Sequence, residues 1–174
     1  IFERSIHWGI YSAILKGAYD ESLQLVLLMG IIQMGFDFME PIHLAANFYD
    51  NPRPNTPEKQ LLLQMAMDDS AVTTLSTMHQ ARTLGVKTLT PTVHHPFGME
   101  ASEGPVENAL VVWDEKPDPV ASDTNMLNSL DNGTHNSMRN HAKVVLQIAH
   151  FFNEGEIIHT CGDGPCDCST GACD

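Results

Sequence analysis

The stretch "QLLLQMAMDDSAVTTLSTMHQARTLGV", residues 60–86, constrains the fold more than any other. Gln60 to Met67 is a short apolar run, bounded by the "NPRPNTPEK" loop and an Asp-Asp-Ser cluster. That is the pattern of a buried strand in a parallel sheet, apolar toward both faces. Leu75, Met78, Ala81 and Leu84 then fall on one face of a helix, and Gly85 is placed to stop it. Strand, acidic turn and helix make half of a βαβ unit, which predicts an α/β fold built on a parallel sheet. "VKTLTPT" supplies a second strand and "NALVVWDE", Asn108 to Glu115, a third and stronger one. "SMRNHAKVVLQIAHFFNEG" reads as a closing helix that ends near Gly155.

Upstream, apolar residues recur at helical spacing from Ser5 to Ala18 and from Glu21 to Asp37. The second stretch is apolar nearly all round, so it is predicted to be a deeply buried helix. Pro41 opens a third, short helix in "PIHLAANFYD". The expected organisation is a helical, cap- or lid-like segment over 1–50, an α/β core over 51–155 and a cysteine-rich tail over 156–174. A chain of 174 residues, 43% hydrophobic, is long enough to bury one core. The apolar run Leu23 to Phe36 falls short of the roughly 20 residues a bilayer span needs, so no transmembrane span is expected. A formal charge of −13 repels phosphate backbones and excludes nucleic acid as a partner. The chain starts at Ile1 with no leader pattern before the first apolar stretch, which predicts a fragment or processed product lacking its N-terminal part.

All four cysteines lie in the tail, as Cys161-x4-Cys166-x-Cys168-x4-Cys173. An even count in a glycine-rich end predicts disulfides formed in an oxidising compartment, hence a secreted, periplasmic or cell-surface protein. Of three possible pairings the two local ones, Cys161 with Cys166 and Cys168 with Cys173, are the simplest. Zinc or an iron–sulfur cluster on four thiolates is the alternative, although the spacing departs from paired C-x2-C knuckles. Asp163, Asp167 and Asp174 lack the graded spacing of a calcium loop and read as a solvated acidic tail.

Open parallel sheets place their chemistry beyond the C-terminal ends of the strands. Asp68 and Asp69 stand at such an end, and Asp69 is the better functional acid because Val72, three positions on, can anchor the turn; the competing role is a helix cap. The long loop after Trp113, carrying Pro117 and Pro119, ends in "DNGTH", which places His135 just before the last helix. His94 and His95, in "TPTVHHP" after the second strand, are alternative histidines. With Glu100 and Glu103 they match no compact zinc pattern. Met29, Met34 and Met39 share no single helical face and read as core or lid filler.

A strand ending in Asp69 within "QMAMDDSAV", and a later loop ending in His135 within "DNGTH", resemble the C-terminal half of α/β-hydrolases. More narrowly, "DNGTH" and the "DGPCD" ending are similar to those of large secreted bacterial proteins of that kind. The resemblance implies the C-terminal half of a doubly wound hydrolase-type sheet, with Asp69 and His135 as the acid and histidine of a Ser-Asp-His triad. Asp68, His94 and His95 are the alternatives. None of the serines lies in a G-x-S-x-G elbow, so the nucleophile is expected on an N-terminal companion segment or chain. A small-molecule or lipid ester is the implied substrate, no cofactor is expected, and the apolar helical segment would line an acyl pocket. The competing expectations are a non-catalytic, hydrolase-like scaffold for binding or assembly and, third, a metal-binding cysteine tail.

Overall fold

The computed structural model describes residues 5–121 and 128–174. Its centre is a four-stranded, all-parallel sheet of β1 (Leu61–Ala66), β2 (Lys87–Thr90), β3 (Ala101–Glu103) and β4 (Asn108–Trp113), in the order β1-β4-β2-β3. Helices α1 (Trp8–Ala18), α2 (Ser22–Phe36) and α3 (Pro41–Ala45) precede it. Helix α4 (Thr74–Leu84) links β1 to β2, while α5 (Thr134–Ser137) and α6 (Ala142–Glu154) follow β4.

The alternation of side chains along the strands decides what covers each face. Leu61, Leu63 and Met65 of β1 share one apolar cluster with Leu110 and Val112 of β4 and with Ala81 and Leu84 of α4. Leu62 and Ala66 share the other with Ala109, Val111 and Trp113 and with Val144 and Ile148 of α6. A helix therefore covers each face, and a strand such as β4 must be apolar in both directions. Gln64, on the α6 side, donates from Nε2 to Oε1 of the fully buried Gln147 at 2.8 Å; Gln147 in turn donates to the carbonyl of Ile158 at 2.7 Å. These bonds offset the cost of two buried amides.

Several expectations hold. Pro41 opens α3, and α4 ends at Gly85, whose φ of 71° is a left-handed conformation that glycine adopts without a Cβ clash. Others are corrected. Helix α2 contains no buried residue; apolar on every side, it half-buries only the face of Leu25, Leu28, Met29 and Ile32. β1 is parallel but lies at the edge of the sheet, so Leu61, Leu62 and Leu63 are only half-buried. The closing helix is not continuous from Ser137: a 3-10 turn over Met138–Asn140 precedes α6. The short strand β3, in a Gly- and Pro-bounded loop, has no alternating pattern by which to read it.

The tail is part of the core. Cys166 and Cys173 are each 1% exposed and pack with Trp113, Leu89 and Ile157. Asp114 and Asp167 form a parallel bridge, in which Asp114 N donates to the Cys166 carbonyl at 3.0 Å and Cys168 N to the Asp114 carbonyl at 2.8 Å. The disulfides are Cys161–Cys166 and Cys168–Cys173. Of the tail's acids, Asp163 and Asp174 are exposed, but Asp167 caps the 3-10 turn Cys168–Thr170.

Candidate active site

Because β1 and β4 are adjacent and parallel, the residues after Ala66 and after Trp113 emerge at one end of the sheet. Met67 N extends the ladder by one bond, donating to the Trp113 carbonyl at 2.8 Å. The chain then turns at Asp68, whose φ of 57° is left-handed, a conformation that Asp tolerates better than most residues. Asp69 follows with its side chain only 8% exposed. Oδ1 accepts from the backbone N–H groups of Ala71 and Val72, each at 2.8 Å, closing the turn. The N-cap of α4 is Thr73, so Asp69 does not cap that helix.

The other oxygen of Asp69 meets His135. Nδ1 of His135 lies 2.9 Å from Oδ2, across 66 positions of sequence. The "DNGTH" loop is shaped for this approach: Gly133, at φ 77°, precedes α5 in a left-handed turn, and Asp131 Oδ1 accepts from Gly133 N at 2.9 Å. Asn132 ties this loop to the acid turn, donating from Nδ2 to the Asp68 carbonyl at 2.7 Å and from its backbone N–H to Ser70 Oγ at 3.3 Å. Behind the histidine, Glu115 at the end of β4 accepts from Ser137 Oγ at 2.5 Å and is bonded to Nε2 of His141. One carboxylate thus ties the last residue of α5, which carries His135, to His141 across the 3-10 turn Met138–Asn140.

Arg139, one helical turn beyond His135, places Nη2 2.8 Å from Nε2 of the imidazole. A guanidinium can only donate, so Nε2 is the acceptor and the ring proton resides on Nδ1, donated to Asp69. This is the tautomer in which a carboxylate orients an imidazole and leaves the far nitrogen's lone pair directed outward. Asp69 then accepts from two backbone N–H groups and one imidazole, enough to offset the burial of its charge. A cavity of about 210 Å3 adjoins the pair, with Val72, Met138, Val144 and Ile148 as apolar lining and Asp69, His135 and Arg139 as polar lining.

The alternative residues lie elsewhere. His95 Nε2 bonds the carbonyl of Met99 at 2.8 Å, and His94 N contacts Thr92 Oγ1 at 3.3 Å. Glu100 pairs with Lys87 at 3.1 Å. Asp68 enters the site through its backbone carbonyl. Met29 lines a cleft between α2, α3 and α4, while Met34 and Met39 are exposed. His159 Nε2 is 3.7 Å from Cys166 Sγ, but the sulfurs of Cys161 and Cys166 are bonded to each other. Sequence reasoning missed Glu115, Ser137, Arg139 and His141. The four-residue step from His135 to Arg139 was the one local signal available for any of them.

Among the described residues no serine hydroxyl is bonded to Nε2 of His135; Ser70 bonds Asp131 and Asn132, and Ser137 bonds Glu115. Ser122 lies outside the described residues. No helix among the described residues is long and apolar enough to cross a membrane. The chain matches no protein-family model, no curated protein and no solved structure.

Proposed function

We propose that Asp69 and His135 are the acid and the general base of a secreted serine hydrolase of α/β-hydrolase type, acting on a small-molecule or lipid ester. The nucleophile is supplied by a companion segment or chain. The observation that carries this reading is the 2.9 Å contact between Nδ1 of His135 and Oδ2 of Asp69. It joins the ends of two separate loops, is held from both sides by further hydrogen bonds, and leaves Nε2 turned away from the acid, toward Arg139. In that role Nε2 takes the proton of the attacking hydroxyl and returns it to the leaving group, while Asp69 fixes the tautomer and stabilises the imidazolium. The disulfides fit an oxidising compartment outside the cytoplasm.

A second reading is favoured by Arg139, which occupies the nitrogen that a base must keep free. On that reading the pair is a clasp between two loops of a binding scaffold. The two readings separate in a preparation containing the companion. For the hydrolase, His135→Ala lowers turnover of a chromogenic short-chain ester by about 10³-fold or more, with little change in melting temperature. A variant that retains turnover and melts markedly earlier rejects the hydrolase and supports the clasp.

A further inference from the structure

Arg139 has an unusual partner for an arginine in so acidic a chain. The protein carries 22 acidic and 9 basic residues, yet among the described residues no carboxylate lies within 4.0 Å of this guanidinium. It donates instead to a neutral imidazole nitrogen, from an exposed position. A guanidinium presents a planar fork that matches an oxyanion with two parallel bonds, and one bond to an imidazole lone pair uses little of that capacity. The contact is also in water's reach, so releasing it costs little.

Nε2 has a single lone pair, so it cannot accept from Arg139 and from an attacking hydroxyl at the same time. Any reaction through His135 requires Arg139 to leave. A ligand shifts that equilibrium only if it binds the displaced arrangement more tightly. An oxyanion does so when it takes the fork to which the engaged Nη2–H belongs, since that proton cannot serve the imidazole and the anion together. The adjoining cavity, about 210 Å3, has room for a compact organic group attached to such an anion.

From this geometry we infer that Arg139 is the recognition site for a carboxylate or phosphate group on the substrate, and that binding this anion withdraws the guanidinium from Nε2 of His135. Substrate recognition and unmasking of the base are then one event. The inference rests on the acid–histidine reading above for its functional meaning, but the binding step needs neither a nucleophile nor turnover.

The test is a titration of the 174-residue protein, labelled with 15N-histidine, at fixed pH and ionic strength. The probes are benzoate, phenylphosphonate and the neutral benzamide, and the readout is the Nε2 resonance of His135. At least one of the two anions shifts this resonance saturably and benzamide does not. A response to phenylphosphonate alone assigns a phosphate group, and a response to benzoate alone a carboxylate. Arg139→Gln, an exposed substitution, abolishes the response, and Arg139→Lys weakens the apparent affinity by about tenfold as a point charge replaces the fork. The inference is overturned if benzamide acts as the anions do, if neither anion shifts the resonance, or if Arg139→Gln retains the full response. Those outcomes leave the ester assay of His135→Ala undecided, and failure of that assay leaves anion binding standing.

Discussion

Two apolar segments of this chain meet opposite fates. In β4 the run Ala109 to Trp113 is at most 2% exposed, whereas Leu23, Val26, Leu27, Ile31 and Met34 of α2 are each more than 60% exposed. Their hydrophobicity is similar and their surroundings are not. A strand in a parallel sheet has two defined faces, and here α4 covers one and α6 the other. Helix α2 is apolar around its whole circumference, so its own pattern directs no side toward the sheet, and its neighbours cover only a little of it. Apolar content states that a segment can be buried; periodicity and a facing layer decide whether it is.

The comparison breaks most readily at Trp113. Replacing it with alanine empties the middle of one core cluster and should cost about 3–5 kcal/mol, measured by urea unfolding. Leu27→Ala in α2 should change stability by no more than about 0.5 kcal/mol. Equal losses would mean that α2 is covered in solution by a surface other than those described here. Next in size is the tail. Removing Cys161 and Cys166 together, both to alanine, releases a closed loop with a sequence separation of 5 and should cost about 2 kcal/mol by the chain-entropy account. An unchanged unfolding midpoint would show that the buried tail holds to β4 without its staple.

The same contrast explains how much could be read from sequence. The strand–turn–helix unit, the stop at Gly85, the strong strand β4 and the local cysteine pairs follow from patterns spanning a few residues, and all are present. Asp69 and His135 were legible as residues at the ends of particular elements, and the fold brings them together. What escaped depends on contacts remote in sequence. Glu115 reaches Ser137 and His141 only once β4 and the α5 turn are adjacent, and Cys166 packs against Trp113 and Ile157 where Asp167 pairs with Asp114. The position of β1 at the sheet's edge was hidden for the opposite reason. Leu61, Leu62 and Leu63 are patterned for a strand covered on both faces, and its place in the sheet order is set by pairing rather than by its own residues.

The smallest expected effect concerns the tail's own cap. Asp167 Oδ1 accepts from Ser169 Oγ at 2.6 Å and from Ser169 N at 3.0 Å, and its other oxygen lies 3.7 Å from Lys116 Nζ. The Ser169 hydroxyl bond does most to hold the carboxyl below the ordinary aspartate range; burial opposes it, and the Ser169 backbone bond and the Lys116 charge add to the lowering. A carboxyl with a lowered folded-state pKa contributes stability above its unfolded value, near 3.9, and loses it as pH falls through the lowered value. Asp167→Asn keeps an acceptor for the Ser169 N–H and removes only the charge. The variant should therefore melt slightly earlier than the native protein at neutral pH, and the gap should close as the solution is acidified through the carboxylate range. A gap that persists in strong acid would show that packing of the cap, and not its ionisation, joins the tail to the sheet. The pairing of Asp114 with Asp167 would then rest on backbone bonds and the buried cysteines alone.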